Sequence, residues 1–198
     1  MSHFHYESDA RRAGYFLIAG IDEAGRGPLA GPVIAAAVIL PENVRLEGVR
    51  DSKKMTPRAR EEAFFRIEQL AVSVSVAVVS PREIEQINIL QAARKSMKQA
   101  VLHLDPLPDF LLIDGTAYLD VPIQQSCIVR GDQQCLSISA ASVLAKVYRD
   151  RMMCSYHELY PQYGFSSNKG YGTRQHLAAI TRYGPCSIHR VTFRGVVQ

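Results

Sequence analysis

Two carboxylates, Asp22 and Glu23, stand side by side at the end of an apolar run from Tyr15 to Ile21, and the turn Gly25-Arg26-Gly27-Pro28 follows at once. Acids at the tip of a core strand are costly unless something compensates them, and a bound cation is the usual compensator. Glycines in the adjoining turn let a ligand approach the backbone closely. Metal and anionic substrate can therefore meet at one strand end. Asp114 closes a second apolar run, and Asp132 follows a third within Arg130-Gly131-Asp132. Four oxygen donors without a nearby Cys or His select a hard divalent cation, Mg²⁺ or Mn²⁺. A pair of such ions, about 3.5–4 Å apart, can activate water and stabilise the leaving oxygen in phosphodiester cleavage.

Taken singly, each acid also reads as a solvated turn former, Asp114-Gly115 above all. The joint pattern favours a site because Asp22-Glu23 abuts a strongly apolar strand. Adjacent strand residues point to opposite faces, so Asp22 and Glu23 share a site only where the strand bends. Gly25-x-Gly27-x-x-Ala30 formally fits a dinucleotide fingerprint. That motif requires a helix to follow, whereas Pro28, Pro32 and a strand-like run follow here.

The acids converge only if their strands are neighbours with their ends on one sheet edge, where α/β folds place their sites. Val33 to Leu40 is a continuous apolar run, as in a strand buried on both faces. Ala71–Val79, Phe110–Asp114 and Ile123–Val129 read as three more strands, and the first three strands are expected to form a meander. Thr56-Pro57 and Ser80-Pro-Arg-Glu83 are helix starts. A longer helix is expected from about Asn88 to Leu104, with Leu90, Ala93, Met97 and Val101 on one face. The longest runs from about Ser137 to Tyr160, and a last one from Thr173 to Tyr183. The pattern predicts one α/β domain over residues 15–198 with a helical C-terminal third, preceded by a flexible segment over 1–14.

At 198 residues, 47% hydrophobic and 21% charged, the chain suits one globular domain. A net charge of +4 tolerates a nucleic-acid partner without demanding one. Cysteines at 127, 135, 154 and 186 form no CxxC pair, and a reducing compartment fits them better than a disulfide framework. Met1–Gly14 lacks the apolar core of a signal peptide, and no apolar stretch is long enough to span a bilayer. A cytoplasmic, monomeric protein without membrane contact is expected.

Six motifs occur in a fixed order: Asp22-Glu-Ala-Gly-Arg-Gly-Pro28, Asp51-Ser-Lys-Lys54, Leu112-Ile-Asp-Gly115, Arg130-Gly-Asp132, Ile138-Ser-Ala-Ala-Ser-Val-Leu-Ala-Lys146 and Lys169-Gly-Tyr-Gly-Thr173. In this order the chain resembles bacterial ribonuclease HII, the type 2 ribonuclease H, from about Tyr15 to Gly195. The resemblance implies a ribonuclease-H-like fold, a five-stranded mixed sheet flanked by helices with a helical C-terminal part. It implies metal-dependent endonucleolytic cleavage of the RNA strand of RNA/DNA hybrids. It also implies nicking of DNA duplexes 5′ of an embedded ribonucleotide, leaving 5′-phosphate and 3′-hydroxyl, in ribonucleotide excision repair and RNA primer removal. Two Mg²⁺ or Mn²⁺ ions are then expected on Asp22, Glu23, Asp114 and Asp132.

The same resemblance makes Gly25, Arg26 and Gly27 the segment that senses the 2′-hydroxyl through its backbone, and Tyr171 the residue that stacks by the sugar at the RNA–DNA junction. Lys53, Lys54 and Lys146 join them as substrate contacts. From the residues alone, Arg26 reads equally as a structural ion-pair partner of a strand-end acid, Lys53 and Lys54 as a solvated run, and Lys146 as half of an i,i+4 pair with Asp150. Lys169, Arg174 and His176 could line a duplex track or be solvated, and Tyr156–Phe165 reads as core. Arg130 stands where many relatives have lysine, and no clamp-binding signature appears in Thr192–Gln198. The short stretch before the first motif is expected to leave no room for the extra N-terminal domain of ribonuclease HIII, which favours the HII type. A junction resolvase of the same fold and a non-catalytic hybrid-binding module are the alternatives; the first would cut all-DNA junctions and the second would bind without turnover.

Overall fold

A computed structural model describes residues 5–46, 48, 49, 52 and 55–197. Its centre is β1 (Ile18–Ala24), which pairs antiparallel with β2 (Val33–Ile39) and parallel with β4 (Phe110–Asp114). β3 (Ser73–Val79) lies antiparallel outside β2, and β5 (Gln124–Ile128) lies parallel outside β4, giving the order β3-β2-β1-β4-β5. The expected meander and five-stranded mixed sheet are both present. Because β1, β4 and β5 run the same way, their carboxyl ends share one edge of the sheet. Ile21 lies opposite Ile113, and Asp114 opposite Ile128.

β2 is buried at every position, as its unbroken apolar run demands. Ala36 and Val38 face α2 (Pro57–Leu70) and α4 (Leu136–Leu159), while Ala35, Ala37 and Ile39 face α3 (Pro81–Leu102). α2 and α3 begin where their capping signals stand, with Thr56 accepting from Ala59 N–H and Ser80 from Glu83 N–H. α3 breaks at Asn88 (φ 63°, ψ 164°), whose side chain accepts from Gln91 N–H and starts the helix afresh. Ala93, Met97 and Val101 are buried there, but Leu90, expected on the same face, is exposed.

Within the segment expected to be a flexible lead, His5–Arg12 form helix α1. Its Glu7 is buried and accepts from Ser137 N–H at 2.8 Å, Ser137 Oγ–H at 2.9 Å and the Cys135 thiol at 3.1 Å. Cys135, at the N-cap of α4, makes no side-chain cap bond, so Glu7 accepts from the first-turn Ser137 N–H from far away in sequence. α5 (Phe165–Asn168) and α6 (Arg174–Tyr183) complete the C-terminal third. There Tyr163 and Phe165 are buried with Ala30, Met153, Ile180 and Ile188, so the aromatic segment is core. Among the described residues, no helix is long and apolar enough to cross a membrane.

α4 crosses β1 in backbone contact. A Cβ on Gly20 would lie 2.1 Å from the Ser137 carbonyl carbon, a distance no side chain can occupy. Gly20→Ala should therefore cost about 2–3 kcal/mol of stability by overpacking, read as a lower urea midpoint. An unchanged midpoint would contradict so close a crossing.

Candidate active site

The carboxyl edge of the parallel strands gathers the acids. Asp22 is 5% exposed and accepts from the Glu23 N–H at 2.7 Å. Burial raises its pKa well above the ordinary carboxylate value, and the charges of Glu23 and Asp114 add to the effect, while a hydrogen bond from Ser142 opposes it. Ser142 Oγ lies 2.8 Å from Ser52 Oγ; a Ser142 hydroxyl that donates to Asp22 accepts from Ser52. Glu23 is ion-paired with Arg26 at 3.1 Å, the structural alternative left open by sequence. Asp114 accepts from Gly131 N–H at 2.7 Å, which ties the end of β4 to the Gly131–Gln133 turn carrying the buried Asp132. Arg130 enters that turn in the left-handed region (φ 57°).

Glu23, Gly25, Arg26, Gly27, Asp114, Lys146 and Tyr171 line one cleft of about 570 Å³. Asp22 and Asp132 are buried and do not line it. Lys53 and Lys54 lie outside the described residues. Among the described residues, no three His, Cys, Asp or Glu side chains are drawn together as a finished metal cage. Like charges resist such closure, and Glu23 and Asp114 instead hold Arg26 and Gly131 N–H. The donor set still fits a hard divalent cation: it is all oxygen, and Asp22 is desolvated beside two other carboxylates.

The glycine turn is held from behind by two buried guanidiniums that its sequence does not announce. Arg190 donates from Nε to Gly31 C=O (2.9 Å), from Nη1 to Arg26 (3.1 Å) and Pro28 (2.9 Å), and from Nη2 to Gly25 (2.6 Å) and Gly31 (2.7 Å). Arg149 donates to Pro32 (3.1 Å), Lys169 (2.9 Å) and Ala30 (3.0 Å). Burial, and then the neighbouring Arg149 charge, lowers the Arg190 pKa to about 9, so it remains charged at neutral pH. Gly25 has φ +101°, and a Cβ there would meet Arg149 Nε at 2.3 Å. In a trans peptide, C=O and the next N–H point in opposite directions. Carbonyls of Gly25 and Arg26 turned toward Arg190 therefore turn the Arg26 and Gly27 N–H groups away from it.

Lys146 pairs with Asp150 at 2.6 Å, and Asp150 also binds Arg60 at 3.2 Å. The i,i+4 reading of Lys146 is thus realised, and Asp150 is committed to two cations. Arg60 also donates to the carbonyls of Ser52 and Met55, at 3.0 Å each. Tyr171 is half-exposed, its Cε1 3.7 Å from where a Gly27 Cβ would stand. Lys169 donates to Ser166 C=O and contacts Cys154 Sγ; Arg174 is exposed. His176 is wholly buried, which removes it from any duplex track. Sequence reasoning missed Ser52, Arg60, Ser142, Arg149 and Arg190 as site residues. Ser142 was visible inside the fifth motif, but a guanidinium that binds carbonyls carries no local signal.

The family model of ribonuclease HII matches residues 19–196. The chain belongs to the ribonuclease HII family. Ribonuclease HII of Geobacter sulfurreducens is 54% identical over 191 residues, covering 96% of this chain and 88% of that one. Ribonuclease HII of Acetivibrio thermocellus is 54% identical over 188 residues, covering 95% and 73%. Among solved structures, ribonuclease H2 from Pyrococcus horikoshii OT3 superposes with a TM-score of 0.77 at 28% identity, covering 90% of this chain and 94% of that one. This ribonuclease HII family member is accordingly a metal-dependent hydrolase, an endoribonuclease H of type 2 that degrades the RNA of RNA/DNA hybrids.

Two outcomes follow from this geometry. Arg190→Met leaves several buried carbonyls without donors and should cost about 3 kcal/mol or more. Arg190→Lys should recover little of it, because one ammonium cannot span the fork; urea denaturation of both variants checks this. A carboxylate whose folded pKa is raised loses stability as pH climbs through the window between its unfolded and folded values. Asp22→Asn should therefore raise the unfolding midpoint at neutral pH without added metal, and added Mn²⁺ should raise the midpoint of the variant less than that of the wild type.

Proposed function

We propose that this enzyme nicks DNA duplexes on the 5′ side of an embedded ribonucleotide, as well as cutting hybrids, and leaves 5′-phosphate and 3′-hydroxyl ends. The observation that carries the reading is the union of two features in one cleft. An acidic strand edge adjoins a glycine turn whose carbonyls are pinned inward by Arg190. Asp22 and Asp114 would hold a central divalent ion, and Glu23 and Asp132 would complete two sites for Mg²⁺ or Mn²⁺. When bound, the ions would supply an activated water and stabilise the leaving oxygen of the phosphodiester.

The chain's own residues do the selecting. The 2′-hydroxyl is what distinguishes ribose from deoxyribose at a given position. The N–H groups of Arg26 and Gly27, turned away from Arg190, are donors that this hydroxyl and the adjoining phosphate can meet without a side chain intervening. Their fixed direction costs no reorganisation when substrate arrives. Tyr171, beside Gly27, offers a flat ring to pack on the sugar and a hydroxyl to bond it. Arg26 and Lys146 line the cleft, where each would exchange its carboxylate partner, Glu23 or Asp150, for phosphate, and the family motif adds Lys53 and Lys54. Ser142 and Gly131 N–H hold Asp22 and Asp114 in place. The enzyme would act as a cytoplasmic monomer in ribonucleotide excision repair and primer removal, where such duplexes arise.

A duplex carrying one ribonucleotide, incubated with enzyme and Mg²⁺ or Mn²⁺, should yield a single nick 5′ of that residue. An all-DNA duplex or junction should stay intact. Asp114→Asn should lose cutting yet still bind the duplex. An uncut ribonucleotide duplex beside an active control, or full activity of the variant, would overturn the assignment.

A further inference from the structure

His176, in the first turn of α6, and His189, in the tail beyond it, are buried side by side, with their Nε2 atoms 3.0 Å apart. On the far side of His189, Nδ1 lies 2.9 Å from the Cys186 backbone nitrogen. On the far side of His176, Nδ1 lies 2.9 Å from the Tyr171 carbonyl oxygen. These two ends dictate what lies between them. A backbone N–H only donates, so His189 Nδ1 accepts, and the neutral ring carries its proton on Nε2. That proton is donated to His176 Nε2, which places the His176 proton on Nδ1, where it is donated to the Tyr171 carbonyl. Hydrogen bonding thus runs in one direction from Cys186 to Tyr171. A further proton on either ring would set two N–H groups against each other and break the chain.

The surroundings favour two neutral rings. The Tyr163 ring lies 4.8 Å from His189, and the Phe165 ring 5.4 Å from His176. The N-terminus of α6 beside His176 is the positive end of a helix. Among the described residues, the titratable side chains that meet the pair are Tyr163 and Cys186, and Arg190 is next in sequence to His189. The Tyr163 hydroxyl donates to Gly184 C=O, Cys186 Sγ lies 3.1 Å from His189 Nδ1, and the Arg190 guanidinium is turned to the glycine-turn carbonyls. Burial lowers the His176 pKa; burial, and then the adjacent His176, lowers that of His189 to about 4.

The chain ends on a residue that needs anchoring. Tyr171 sits between Gly170, at φ +85°, and Gly172, so its own backbone offers little resistance to swivelling. Its peptide is held by Tyr171 N–H to Asn168 C=O, and by Thr173 N–H and His176 Nδ1–H to its carbonyl. Of these donors and acceptors, only His176 connects Tyr171 to the tail that also carries Arg190.

We propose that the His176–His189 pair is a positioning device for Tyr171: a neutral, one-way hydrogen-bonded bridge that fixes the Tyr171 peptide and so aims its ring across the cleft. This rests on the reading of Tyr171 as the residue that packs against the ribose. Because the same tail supplies Arg190 to the glycine turn, one segment sets both the backbone donors and the ring that together test for ribose. His176 and His189 are positioning residues and touch no substrate.

The test is a double-mutant cycle on the single-ribonucleotide duplex, with kcat and KM resolved. His189→Leu should lower kcat/KM about tenfold, the scale of effect that small misplacement of a contacting group produces. His189→Gln, whose amide can still donate toward His176, should recover most of that loss. In the Tyr171→Ala background, His189→Leu should cost almost nothing further. In the wild-type enzyme, ¹⁵N NMR should show His176 protonated on Nδ1 and His189 on Nε2, with neither ring titrating between about pH 5.5 and 8. Another tautomer pair, or ordinary titration near neutrality, would overturn the proposal even if the leucine variant fails to fold. So would equal costs of His189→Leu in both backgrounds when Tyr171→Ala is itself impaired. Full activity of Tyr171→Ala would instead refute the reading of Tyr171 as the sugar contact, and with it the purpose of the bridge.

Discussion

Two buried guanidiniums aimed at one loop hold this molecule's functional parts together. A charge taken out of water is tolerated only when its donors are met, and the carbonyls of Gly25 to Pro32 accept five hydrogen bonds from Arg190 and two from Arg149. Arg149 comes from the long helix that lies on the sheet, Arg190 from the C-terminal tail. The loop itself leaves the end of the central strand. Sheet, helix and tail therefore join at the turn that adjoins the acids. The backbone bonds Leu29 N–H to Gly170 C=O, Gly31 N–H to Ile188 C=O and Arg190 N–H to Leu29 C=O reinforce the same junction.

That rigidity stands against an electrostatic tension next to it. Asp22 is desolvated close to Glu23 and Asp114, an arrangement that folding alone would not favour. The cost is borne by a sheet buried on both faces and by the backbone contact of α4 at Gly20. A carboxylate whose pKa is pushed up by burial and by neighbouring acids, on a well-packed support, marks this edge as a candidate functional site. In the same way, the buried Glu7 reaches the start of α4, where Ser137 N–H and Oγ–H and the Cys135 thiol donate to one of its oxygens.

Much of the fold was legible because its signals are local. The apolar run of Val33–Leu40, the threonine and serine caps before Pro57 and Pro81, and the acid ending Phe110–Asp114 each act over a few residues, and the elements form where these stand. Helix α1 was not legible: His5–Arg12 is short and polar, and is held by Glu7 on a helix start about 130 residues on. The same holds for Arg149, Arg190, His176 and His189. In sequence each looks like a surface charge, because a partner that is a carbonyl oxygen or a second ring leaves no periodicity to detect.

The amino-acid order by itself determined which acids lie at strand ends, that the glycine turn follows the first of them, and that the chain carries the ribonuclease HII motifs. Those are consequences of residue type and short-range spacing. Only the tertiary structure decided that β1, β4 and β5 run parallel as neighbours, bringing those ends to one edge. It alone turned the carbonyls of the glycine turn inward, gave Arg26 to Glu23, and joined two histidines into a bridge to Tyr171. Each of these is a contact between segments far apart in the chain, settled by which groups can satisfy one another once water is excluded.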